Sequence, residues 1–366
     1  MDGLSFIVRR AIGWGRFLVP ALSLSGCVFG ENQQFFSARA PGVPSIAGAR
    51  RDLFRVGSAG APKIDVLFCV DNSASMADNQ LILADSFRGF IGNFFSAALD
   101  FHIGIITSDV DSGSASVWKS RMPGYPGANR GLLLSRDSSE RFLNPESTEL
   151  VSRFEENAMV GTAGSYREQC LNSFIYSMDP ALLAQGAWNE GFFRSDALLA
   201  LVVVSDENED IQDGETVAAR VGRLRSRIQA LQGAGGKGSR FDFIINEQAP
   251  DPGRILAPGS IQYYPGRYYE AANILSGRTY DITQDFSADL LRISEGMVTQ
   301  ALSEFALSGR PKDASTIQVT LDGELLLQDA PDGFIYHPDR NTIELMGRAA
   351  NPNPGAELQV SYLPMQ

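Results

Sequence analysis

Five oxygen-bearing side chains fall at three points where apolar runs break off. Asp71, Ser73 and Ser75 follow the run Ile64 to Val70, Thr162 sits in Gly161-Thr162-Ala163-Gly164, and Asp206 follows Ala197 to Ser205. Hydroxyl and carboxylate oxygens suit a hard cation such as Mg²⁺, with Ca²⁺ or Mn²⁺ as alternatives, and Mg²⁺ keeps waters in the positions the protein leaves open. Three hydroxyls and only two carboxylates would leave such a cation incompletely neutralised, so an incoming Asp or Glu could replace a water. Each hydroxyl alone could equally cap the helix that follows it. A second group, Asp109, Asp111, Glu207, Glu209 and Asp210, reads either as solvated acidic loops or as a second cation site.

To gather these residues, the elements must bring three loops to one edge of a sheet. From Lys63 onward apolar runs alternate with amphipathic stretches, the pattern of an α/β fold with a parallel sheet. Strands are expected at 64–70, 101–107, 131–135, 197–204, 241–245 and 278–283. Helices are expected at about 79–98, 148–157, 166–178, 215–232, 269–276 and 286–307. In an open parallel sheet ligands bind at the carboxyl ends of the strands. Beyond Arg310 the period shifts to two, with Ile317, Val319 and Leu321 alternating, then Ile343 and Leu345, then Leu358, Val360 and Tyr362. That predicts a small antiparallel β module, too short to be stable alone and so expected to pack on the α/β unit.

Order and spacing of the three loops resemble the metal-ion-dependent adhesion site of von Willebrand factor type A domains. Asp71, Ser73 and Ser75 match the first motif, Thr162 the lone Thr of the second, and Asp206 the Asp of the third. The second motif departs from the pattern, with Val160 in place of a Gly and Gly164 in place of a second Thr. The resemblance implies a Rossmann-like, doubly wound sheet flanked by helices over residues 62–308, followed by the β module at 309–366. It implies Mg²⁺-assisted binding of a protein partner that offers an Asp or Glu carboxylate, in adhesion or complex assembly, and no enzymatic activity. The alternatives are a scaffold with a structural metal that binds through its β module, and an acidic-cluster metallohydrolase.

The first 26 residues read as an exported leader, with Arg9, Arg10 and Arg16 before an apolar stretch too short to span a bilayer. Leu24-Ser25-Gly26-Cys27 resembles the lipobox of bacterial lipoproteins, which makes Cys27 the lipidated residue and 27–61 a flexible tether, with Phe54 and Val56 able to start a strand. Val28 favours the outer membrane of the cell envelope, periplasmic or surface-facing, with the lipid as the only membrane contact. Together with the motif Val66 to Met76 and the segment Asn189 to Arg194, this is similar to bacterial von Willebrand A lipoproteins.

Composition narrows the classes further. With 44% hydrophobic residues and 10% aromatics among 366, the chain is that of a folded protein, and its formal net charge of −12 argues against nucleic acid. Only two histidines, His102 and His337, are present, which excludes a His-rich zinc site. His102 alternates with apolar neighbours and reads as a satisfied strand residue. Gly233 to Ser239 superficially resembles a phosphate loop but has Gly238 after the Lys, and reads as a flexible turn. Cys69 and Cys170 are either two small buried thiols or a disulfide.

Overall fold

The computed structural model describes residues 47–56, 61–110, 130–135, 140–164, 167–211, 214–233, 237–246, 266–338, 341–350, 352–353 and 355–365. All lie in one compact unit, Val43–Gln366. The calls on the leader, on Cys27 and on Asp111 fall outside the described residues.

The architecture is mixed α/β. Its centre is a five-stranded, all-parallel sheet built from β2 (Lys63–Val70), β3 (Asp100–Thr107), β4 (Leu198–Ser205), β5 (Ser239–Ile245) and β6 (Arg278–Asp281), with β1 (Arg50–Val56) belonging elsewhere. The order is β3-β2-β4-β5-β6, so β2 is flanked by the strands that follow it on either side of the crossover. Every residue of β4 is buried, and so is all of β2 beyond Lys63. Continuous apolar runs are what strands covered on both faces require.

Alternation along β2 divides the core. Ile64, Val66, Phe68 and Val70 face one layer, closed by helices α1 (Ala77–Ser96), α2 (Leu150–Ala158) and α6 (Ser287–Ser303). Leu67 and Cys69 face the other, closed by α3 (Cys170–Ser177), α4 (Val217–Gln232) and α5 (Gly266–Leu275). Helices therefore cover both faces. Phe68, Phe87, Phe90 and Phe154 pack ring against ring in the first layer, where aromatic pairs add to plain area burial.

Two antiparallel sheets complete the molecule. One has the order β1-β12-β8-β9 and contains β8 (Gln318–Leu321), β9 (Glu324–Leu326) and β12 (Ala356–Tyr362). The other joins β7 (Glu304–Ala306), β10 (Phe334–His337) and β11 (Thr342–Leu345). They enclose a core of their own, centred on Val319, Phe334, Ile343, Leu358 and Tyr362.

Three sequence expectations differ from what forms. Strand β1 lies inside the stretch expected as tether and pairs with the C-terminal strand along its full length, Arg50 opposite Tyr362 and Val56 opposite Ala356. The last helix stops at Ser303, and the next three residues become β7, because they pair with β11 instead of continuing the helical ladder. Residues 131–135 form no strand; Leu132, Leu133 and Leu134 are buried, and the Leu134 amide donates to Ile105 O at 2.8 Å.

Candidate functional site

Register places the three loops. Val70 pairs with Thr107 on one side and Val204 on the other, so β2, β3 and β4 end level. The ladder runs one step past the strands: the Asp71 amide donates to Val204 O at 2.9 Å, and the Ser108 amide to Val70 O at 3.3 Å. Asp71, Ser108 and the Ser205-Asp206 pair therefore stand side by side at the carboxyl edge.

Hydrogen bonds close the first and third loops into one constellation. Asp71 Oδ1 accepts from the Ser73 amide at 2.7 Å, and Asp71 Oδ2 from Ser205 Oγ at 2.5 Å. Ser73 Oγ and Ser75 Oγ lie 3.1 Å apart, and Ser75 Oγ donates to Asp206 Oδ1 at 3.0 Å. Asp71, Ser73, Ser75 and Asp206 are thus brought together. Ser205 joins them, although its place in the sequence, as the last residue of an apolar strand, gave no sign of it.

The second loop is carried by Gln80, fully buried on the first turn of α1. Its Nε2 donates to Asp71 O at 3.0 Å and to Gly161 O at 2.9 Å, while its Oε1 accepts from the Gly161 amide at 3.1 Å. One amide side chain thereby fixes the Gly161 loop against the Asp71 loop. Gly161 has φ +94°, a conformation glycine adopts without steric cost. The Gly164 amide donates to Asn72 O at 2.9 Å, and a Cβ there would come within 2.2 Å of Asn72 Oδ1. A side chain at 164 would displace Asn72, which gives the Gly in place of a second Thr a steric reason. Thr162 itself is exposed on this loop.

Sequence reasoning missed one acid entirely. Glu168 is 1% exposed; its carboxyl accepts from Ser108 Oγ and faces Asp71, and Oε1 is buried without a hydrogen-bond donor. Burial, and then the Asp71 charge, push the Glu168 carboxyl up to about 10. Burial also raises Asp71, against the hydrogen bonds from Ser205 and Ser73. Burial followed by repulsion from Asp71 lifts Asp206 to about 6 and Glu207 to about 7. Among the described residues no Lys or Arg forms an ion pair with any of these four acids. The missing counter-charge and the undonated Glu168 oxygen fit a hard divalent cation, which would be held by oxygens of Asp71, Ser73, Ser75 and Asp206 with Glu168 beside them.

Of the five residues read as a second cation site, Asp111 lies outside the described residues, and Glu209 and Asp210 are drawn to arginines. Glu207 belongs to the Asp71 group. Glu209 is fully buried but committed elsewhere: it pairs with Arg220 at 2.8 Å and accepts from the Leu171 and Asn172 amides at 3.0 and 3.3 Å. An anion at a helix N-terminus is well placed, so Glu209 anchors the start of α3. The Asp210 carboxylate lies 3.7 Å from Arg167, and Asp109 is fully buried after β3. His102 is a satisfied strand residue, with Nδ1 donating to Phe192 O at 2.8 Å. Far from this edge, Glu304, His337 and Glu344 hold their ligand atoms within 4.8 Å of one another in the β module.

A disulfide joins Cys69 and Cys170, 101 residues apart, with their Cα atoms 5.6 Å from each other. Cys69 precedes Asp71 by two residues and Cys170 follows Glu168 by two. The bridge therefore brackets the two facing acids covalently.

No family model matches the chain, and no curated protein matches it. Solved structures similar to it include the pilus adhesin SpaC from Lactobacillus rhamnosus GG, at TM-score 0.41 and 9% identity over 86% of this chain and 41% of that one. Proximal thread matrix protein 1 from the mussel byssus gives 0.37 and 8%, over 70% of this chain and 52% of that one. The human COPII-coat protein Sec24c gives 0.39 and 10%, over 86% and 46%. The chain thus spans about half or less of each. Likenesses this distant say nothing about what the site binds.

Proposed function

We propose that this chain is a von Willebrand A-type module that binds a protein partner through a divalent cation at the carboxyl edge of its parallel sheet. The observation that carries the reading is the closed constellation of Asp71, Ser73, Ser75 and Asp206, whose acids have no arginine or lysine to neutralise them among the described residues. The cation, Mg²⁺ or else Mn²⁺ or Ca²⁺, supplies an electrophilic centre that a partner's Asp or Glu can complete. This chain's part is to hold it: Ser73 and Ser75 present neutral oxygens, Asp71 and Asp206 charged ones, and Gln80 fixes the loop that carries Thr162. The module acts without catalysis, in adhesion or complex assembly, held to the outer membrane by lipid on Cys27.

Calorimetric titration of the full chain with Mg²⁺, Mn²⁺ and Ca²⁺ tests the proposal. One cation should bind, binding should vanish in Asp71→Asn, and partner capture should be lost in chelator. A chain that binds no divalent cation would sink it. The scaffold reading has one observation in its favour: Leu325 and Leu327 are 48% and 64% exposed at the sheet edge containing β9. Partners that stay bound in chelator and are released by Leu325→Ser would favour it instead.

A further inference from the structure

Two side chains compete to be the oxygen that the second loop brings to Asp71. Thr162 is exposed. Glu168, six residues later, is 1% exposed and faces Asp71, with Oε1 lacking any donor. Its position is fixed before any cation arrives. The Asp210 amide donates to Glu168 O at 2.6 Å, the Gln169 amide donates to Ser108 O at 2.9 Å, and Cys170 is bonded to Cys69. A ligand held this way loses little entropy on binding.

The rest of the molecule shows how buried acids are handled when no cation is intended. Asp65 has Arg194 at 2.7 Å, Asp242 has Arg240 at 2.6 Å, and Glu209 has Arg220 at 2.8 Å. Beside Asp71 no described Lys or Arg plays that part, and the carboxyl of Glu168 faces it instead. We infer that Glu168, and not Thr162, is the ligand the second loop supplies to the cation beside Asp71. The inference rests on the cation-binding reading above. It raises the carboxylates around the cation to three with Asp71 and Asp206.

Mn²⁺ titration of the full chain, followed by calorimetry and by the Mn²⁺ electron paramagnetic resonance signal, separates the two ligands. Glu168→Gln keeps the size of the side chain and an acceptor for Ser108. It should weaken Mn²⁺ binding by about tenfold or more, while Thr162→Ala stays within about twofold. In chelator Glu168→Gln should melt close to the wild type, since burial already holds the Glu168 carboxyl protonated and the amide is nearly isosteric with it. Glu168→Asp, which keeps the charge but shortens the reach, should fall between and guards against a folding defect in the amide variant. Wild-type affinity in both Glu168 variants, or a larger loss in Thr162→Ala, would overturn the assignment. If the Glu168 variants bind like the wild type while Asp71→Asn does not bind, only the Glu168 assignment has failed; if the wild type binds nothing, the cation reading has failed with it.

Discussion

Strand β2 carries a buried acid at each end, and the fold treats them in opposite ways. Asp65, at the amino end, receives the Arg194 amide at 2.6 Å and Nε at 2.8 Å, and the same guanidinium reaches Asp100 and the carbonyls of Ile64 and Asp100. Asp71, at the carboxyl end, receives the Ser205 hydroxyl and the Ser73 amide, and the carboxyl of Glu168 stands within hydrogen-bonding reach of it. Burial raises both acids, and the guanidinium limits the rise at Asp65 to about 7. The amino end is closed electrostatically by the chain itself. At the carboxyl end no described Lys or Arg forms an ion pair with Asp71.

The most damaging way to break that contrast is to make the amino end resemble the other. Arg194→Ala leaves Asp65 buried without a counter-charge and should cost about 3–5 kcal/mol in chemical denaturation. Cation affinity of the folded fraction should not change, and Asp65→Asn added to Arg194→Ala should recover part of the loss. A smaller effect is expected at the carboxyl end. Gln80→Ala strips the Gly161 amide and carbonyl of their partner and should cost about 1–3 kcal/mol. Unlike Arg194→Ala, it should also weaken the cation, because the second loop is no longer held against the first.

Proton dependence sharpens the contrast with the smallest effect. Asp206 at about 6 and Glu207 at about 7 titrate above the ordinary carboxylate range, so the folded protein takes up protons that the unfolded chain does not. Their contribution to stability is full below the ordinary carboxylate pKa and is lost as the pH rises through 6 to 7. In chelator the melting temperature should therefore fall between about pH 4.5 and about pH 8. The stabilisation given by added cation should grow over the same interval, since ligands bind deprotonated. Asp65, also at about 7, contributes a decline that cation leaves untouched. A cation increment that is flat with pH would count against the acids at the carboxyl edge as ligands.

What could be read in the sequence follows the range of the interactions involved. Strand β4 is an apolar run up to Ser205 and β2 one interrupted by Asp65, and the residues that follow them, Asp71, Ser73, Ser75 and Asp206, inherit their position from the strand end. Glu168 has no such neighbour: Arg167-Glu168-Gln169 is polar and looks like the solvated start of a helix. Its burial follows from Cys170, whose bond to Cys69 draws it next to Asp71, and the sequence left that bond open. Strand β1 is harder still: Phe54 and Val56 hint at a strand, but its partner β12 lies about 300 residues away and nothing local in 50–56 names it. Glu209 shows the reverse error. An acidic run reads as solvent-exposed, but Arg220, on a helix eleven residues later, pulls one member of it into the core.

The bond between Cys69 and Cys170 has a further consequence for how the chain withstands cutting. It turns residues 69–170 into a covalent ring that contains β3, α1 and α2. A protease that cleaves once within that ring opens it without releasing a fragment. The nicked protein would run as one species without reductant and as two with it, and Asp71 and Glu168 would remain joined. For a module proposed to work outside the cell, that is tolerance of damage built into a single crosslink.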